Sequence, residues 1–123
     1  MSALTGIRKA LGAIACSILL VGLSGCGSSS KTTGGGLSVD IIIAHGQVTP
    51  ANVTLQAAVH QPIMLHVTSD VADELHVHSV PDHKFEVAPA ANQTFQFSVD
   101  VPGSVDVELH HLDRTVATIH VNP

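Results

Sequence analysis

Asp73-Glu74-Leu75-His76-Val77-His78 is the stretch on which the fold reading turns. Leu75 and Val77 alternate with Glu74, His76 and His78, the period of a half-buried strand. Residues two apart on a strand share a face. Glu74, His76 and His78 therefore stand on one side, Leu75 and Val77 on the other. The apolar side needs a core. The imidazole side either meets water or binds something. The stretch continues through Ser79-Val80-Pro81-Asp82-His83, so three of the nine histidines fall within eleven residues.

The same alternation recurs outward from this stretch. Val39 to Ile43 is nearly all β-branched. Val53, Leu55 and Ala57 form the next run, then Ile63, Leu65 and Val67. Downstream come the short Phe85/Val87 pair, then Phe95, Phe97 and Val99. Val105, Val107 and Leu109 follow, and Ala117, Ile119 and Val121 close the chain. Pro50-Ala51-Asn52, Asp100-Val101-Pro102-Gly103 and His111-Leu112-Asp113-Arg114 read as turns. There is no internal repeat and no amphipathic helix. Seven or eight short strands in the 87 residues from Leu37 to Pro123 predict an all-β, antiparallel sandwich with Greek-key connections. The three phenylalanines and the Val/Ile/Leu set are its expected core.

The chain before Leu37 has a different character. Arg8 and Lys9 precede an uncharged apolar run, Ala10 to Leu23, closed by small residues. This is the layout of an export signal, too short for a confident membrane span. Its ending, Leu23-Ser24-Gly25-Cys26, resembles the lipobox of bacterial lipoproteins. The resemblance implies diacylglyceryl attachment to Cys26, cleavage before it, and N-acylation in many bacteria. An uncleaved anchor helix would also leave the domain outside the membrane. Gly27 to Gly36 has no apolar residue and is expected to behave as a coil. The expected organisation is a signal peptide at 1–25, a lipidated cysteine and tether at 26–36, and one domain at 37–123.

Charge and cysteine content narrow the function. Both cysteines, Cys16 and Cys26, lie in the signal region, so the domain has no thiol for a disulfide, a thiolate metal site or a nucleophile. All ten acidic residues follow Cys26 against Lys31, Lys84 and Arg114, giving 3 − 10 = −7 with histidines neutral. Such a charge argues against nucleic acid and against electrostatic attachment to anionic lipid. Membrane attachment then rests on acyl chains, and the expected location is the extracytoplasmic face of the cell membrane. Without Trp or Tyr, an aromatic platform for sugars or bases is not expected.

Two stretches read together resemble the cupredoxin superfamily, and most closely a cupredoxin-like group of bacterial exported proteins. These are Asp73-Glu74-Leu75-His76-Val77-His78 and Val101-Pro102-Gly103-Ser104-Val105-Asp106-Val107-Glu108-Leu109-His110. Ile119-His120-Val121-Asn122-Pro123 is similar to that group's final strand. The resemblance covers most of 37–123 and implies a Greek-key β-sandwich. The family's best-known activity is electron transfer through mononuclear copper held by two histidines, a cysteine and usually a methionine. That cysteine is expected near Leu109, where there is none, and no methionine follows. Met64, in an earlier strand, is the sole methionine of the domain. The resemblance therefore implies the fold without a type 1 blue copper centre.

The histidines remain. His76 and His78, with Cα atoms about 6.7 Å apart on one face, can converge on an ion at bonds of roughly 2.0–2.1 Å. His110, beyond Leu109 on a polar face, is the first candidate for a third ligand, and His111 the next. Asp73, Glu74, Glu108 and His83 are further ligands or supports. A thiol-free set of this kind suits Cu(II) or Zn(II). The competing reading is that alternation places these imidazoles on a solvated outer face. His45, His60, His66 and His120 are scattered and read as polar-face or loop residues. Protonating the nine histidines would take the charge from −7 to slightly positive, a property rather than a sensor. No catalytic residues are assigned and no enzyme is expected. The expected function is a lipid-anchored carrier or scavenger of one copper or zinc ion. The alternative is a metal-free structural or protein-interaction module of the cell envelope.

Overall fold

Each alternating run from Val39 onward forms a strand that buries its apolar side. The structure, a computed structural model, describes residues 31–33 and 35–123. Its ten strands make two five-stranded sheets around one core. The first sheet holds β1 (Lys31–Thr33), β2 (Gly36–Ala44), β3 (Gln47–Thr49), β5 (Ile63–Ser69) and β8 (Gln93–Phe97). Its order is β1-β2-β5-β8, with β3 also on β2. The second holds β4 (Val53–Ala58), β6 (Asp73–Val77), β7 (His83–Val87), β9 (Gly103–Leu109) and β10 (Arg114–Asn122), in the order β4-β10-β9-β6-β7.

The sandwich departs from the expected one in pairing and strand count. β2 and β5 run parallel, Leu37 beside Ile63 and Ile43 beside Ser69, and so do β4 and β10. Both sheets are mixed. After β3 the chain crosses to the second sheet as β4 and returns beside β2 as β5, in the same direction. Alternation along one strand does not record its neighbour's direction, so the periodicity was silent here. The added strands, β1 and β3, have three residues each, too few to show a period. β1 draws part of the expected Gly27–Gly36 coil into the sheet, Lys31 facing Ser38 and Thr33 facing Gly36. Backbone pairing needs no apolar side chain, so composition gave no warning of it. The expected export signal and Cys26 lie outside the described residues.

Turn chemistry fixes the β2–β3 register. Ala44 faces Gln47, leaving His45 (φ 53°) and Gly46 (φ 71°) as a two-residue loop. Two left-handed residues in succession make the type I′ turn whose twist matches a hairpin. Glycine takes the second position without a Cβ penalty.

Leu75, Val77, Ile63, Val67, Val116 and Ile119 are fully buried, with Ile41, Ile43, Leu65, Val107 and Leu109 beside them. Each such side chain contributes roughly 1.5–3 kcal/mol. Of the phenylalanines only Phe97 is buried. Phe85 and Phe95 stack at 5.1 Å where the edge strands β7 and β8 meet, so they seal an edge rather than fill the centre. A bulge between Thr115 and Ala117 turns both Val116 and Ala117 inward. The outer face of the second sheet is left to Glu74 and His76 of β6 and to Asp106 and Glu108 of β9.

Candidate metal centre

β6 lies between β9 and β7, so His76 has a neighbour on either side: Glu108 across one ladder and Lys84 across the other. Val77 faces His83 at the end of the β6–β7 ladder, and the loop His78 to Asp82 closes the hairpin. This loop is tied to the rest of the domain at two points and braced by a bond within itself. The His78 amide donates to the Asp106 carbonyl at 2.9 Å, and the Asp100 amide to the Val80 carbonyl at 2.8 Å. The Ser79 hydroxyl donates to the Pro81 carbonyl at 2.6 Å. Alternation about β7 turns His83 inward and leaves Asp82 on the outer face beside the two imidazoles.

His76, His78 and Asp82 each bring one donor atom into a group whose members lie within 4.8 Å of one another. His76 Nε2 donates to Asp82 Oδ1 at 2.8 Å, and His78 Nε2 to Glu108 Oε2 at 2.9 Å. The two rings are 3.9 Å apart between centroids and tilted by 41°. The His76 side chain is 18% exposed, against 47% for His78 and 56% for Asp82. The site is thus anchored on a half-buried imidazole and opens to solvent through the other two groups. The hydrogen bond from His76 holds the Asp82 carboxyl below the usual carboxylate range. Charge on His76, Lys84 and His78 acts in the same direction, against a desolvation cost.

The structure brings His76 and His78 together but supplies Asp82, not His110 or His111, as the third donor. The reason is register. With Leu75 facing Leu109, the ladder continues to a bond from the His110 amide to the Glu74 carbonyl at 2.9 Å. His110 therefore stands one step along the face from His76. Its Nδ1 contacts Glu74 Oε1 at 3.2 Å, and Lys84 Nζ approaches the same oxygen at 3.6 Å. His111 stacks parallel to His110 at 6.2 Å, with Nδ1 3.6 Å from Asp73.

The supporting residues sort in the same way. Asp73 points inward, and its carboxylate is spent on backbone amides of Glu74, His111 and Leu112 at 2.7, 2.8 and 3.1 Å. It is a turn anchor rather than a ligand. His83 is turned from the site, stacking on Phe85 and tilted against Phe97, with Nε2 3.2 Å from the Ser98 carbonyl. Glu108 supports His78. His60, His66 and His120 contact Asp100, Thr94 and Ser104 elsewhere. Sequence reasoning missed Asp82. Its signal was a turn residue four positions after His78, in a hairpin tight enough to fold it back over the strand.

Among the described residues a type 1 copper set does not assemble. Leu109, where the cysteine is expected, faces inward at 1% exposure. Met64 sits on β5, facing Ser38 and Gln96 on the outer side of the other sheet, so the whole core separates it from His76.

No family model matches the chain, and no curated protein does. Solved structures do. A chain of a heme-copper terminal oxidase dimer shares 16% identity at TM-score 0.52, over 72% of this chain and 66% of that one. The metal-binding domain of the Cu(I)-exporting P-type ATPase CopA of Streptococcus pneumoniae, solved with Cu(I), shares 12% at TM-score 0.52. That match covers 76% of this chain and 93% of the domain. A Cu(I) mutant of amicyanin is similar at 12% identity and TM-score 0.48, over 69% and 82% of the two chains. Likeness at these identities concerns the fold, and the fold is a cupredoxin-like β-sandwich.

Proposed function

We propose that the chain is an exported lipoprotein, held to the membrane through lipid on Cys26. Its cupredoxin-like domain binds one divalent transition metal, copper or zinc, as a carrier or scavenger on the extracytoplasmic face. The observation that carries the metal reading is the convergence of His76, His78 and Asp82 within 4.8 Å. Two imidazoles and a carboxylate make a hard-to-borderline donor set suited to Cu(II) or Zn(II). Without thiolate or thioether it is a poor host for Cu(I). An ion would replace the hydrogen that His76 Nε2 now donates to Asp82 Oδ1, that proton moving to Nδ1 of the same ring or, from a charged ring, to water.

The test is calorimetric titration of the full chain with Zn(II) and Cu(II), beside the double variant His76→Ala/His78→Ala. One-to-one binding lost in the double variant is the expected result. Binding of equal strength in both proteins would sink the site. For the anchor, Cys26→Ala should abolish acyl labelling and release the chain from membranes. An unaltered membrane fraction would refute lipidation there.

A metal-free envelope module has one observation in its favour. Both imidazoles already hold carboxylate partners without any ion. In that case the double variant loses cross-strand support and nothing else.

A further inference from the structure

Glu108 lies outside the three-donor group although it contacts one member of it. It stands opposite His76 on β9, yet its Oε2 bonds diagonally to His78 Nε2 at 2.9 Å. Its side chain is 42% exposed and has no lysine or arginine partner among the described residues. A carboxylate only accepts, so Nε2 of His78 carries the proton, and the lone pair of the neutral ring is on Nδ1. Asp82 differs, since its oxygen lies within 4.8 Å of donor atoms on both histidines.

Resting on the metal reading above, we propose that the two carboxylates have different tasks. Asp82 is the ligand, and Glu108 is a positioning residue that fixes the tautomer and tilt of His78 so that Nδ1 faces the ion. His76 then binds through Nε2 and His78 through Nδ1, an asymmetric pair. Each position on β6 dictates its part. His76 is flanked by Asp82 on the β7 side. His78, past the end of the β6–β7 ladder, leans back over β9 to Glu108. Carboxylates behind a ligating imidazole orient the ring and raise its basicity, and their loss lowers metal affinity about 10–100-fold.

The experiment compares the full chain with Glu108→Ala, Glu108→Gln and Asp82→Ala by Zn(II) titration, and records the ring-nitrogen shifts of His78 by NMR without metal. The expected result is a protonated Nε2 in the parent and a roughly 10–100-fold affinity loss in Glu108→Ala. Glu108→Gln should recover part of it, because its amide oxygen still accepts from Nε2. A turn-stabilising role would not move the tautomer. Parent-like Zn(II) affinity in Glu108→Ala, or a His78 protonated on Nδ1 in the metal-free parent, overturns the assignment while leaving the metal site standing. Failure of the parent to bind Zn(II) overturns the metal reading and this one with it.

Discussion

Replacing Asp73 should unlock the β9–β10 turn while leaving the metal centre intact. The Asp73 side chain is fully buried. Its Oδ1 accepts from the Glu74 and His111 amides and its Oδ2 from the Leu112 amide. Hydrogen bonds to a charged group contribute about 1.5–3 kcal/mol each. In Asp73→Asn the amide oxygen can keep the Oδ1 contacts, but its NH2 then meets the Leu112 N–H. One bond is lost, about 1.5–3 kcal/mol. Asp73→Ala loses all three. His111 is exposed, so water recovers part of the difference, and about 3–4 kcal/mol remains. Against the roughly 5–15 kcal/mol that holds a domain together, this is a large fraction. The assay is urea unfolding, with the midpoint falling in the order parent, Asn, Ala at constant slope. Zn(II) affinity should survive wherever the protein remains folded, because none of the three donors touches Asp73. An alanine variant within about 0.5 kcal/mol of the parent would refute the anchor.

Three further outcomes follow from the same geometry. Leu75→Ala empties a fully buried position under the histidine face and should cost about 2–5 kcal/mol in urea unfolding; a smaller loss would mean the two sheets close over the gap. Zn(II) affinity should fall as pH drops from about 8 to about 5, since protons compete for imidazole lone pairs. Asp82, held below the usual carboxylate range, stays ionised through this interval; its contribution is present above the ordinary carboxylate pKa and is lost only as pH falls through its own lowered value. A titration flat over that interval would exclude imidazole ligands. Leu109→Cys should not create a blue copper chromophore with Cu(II), because position 109 points into the core and Met64 lies across it; an intense thiolate band would show that the interior admits the ion.

Much of the sandwich was legible because its strands are half buried. Leu75/Val77, Val105/Val107/Leu109 and Ile63/Leu65/Val67 each declare a face by period two. Direction was not legible, since β2–β5 and β4–β10 look the same in sequence whether parallel or antiparallel. The pairing of His76 with His78 follows from spacing within one strand. The third donor depends on how a five-residue loop folds back and on the register between β6 and β9, and spacing carries neither. Hence His110, a natural partner by sequence pattern, falls opposite Glu74, while Asp82 arrives from the hairpin.

The two functional readings differ in what the imidazole–carboxylate bonds are for. As staples they are ion pairs open to water, and such pairs contribute little. His60–Asp100, with side chains 71% and 52% exposed, is a pair of that kind, and it belongs to no three-donor group among the described residues. His76–Asp82 is built differently. Its imidazole is held at 18% exposure between two ladders, and a second imidazole lies 3.9 Å away. A staple needs one imidazole and one carboxylate, and gives no reason for a second ring to lie so near. A shared cation turns the same crowding into attraction, with a carboxylate completing the set. The closeness of His76 to His78 favours the metal reading, and the His78→Ala single variant separates the two. A staple keeps its bond to Asp82 and its stability, whereas a metal site loses a ligand and most of its affinity for Zn(II).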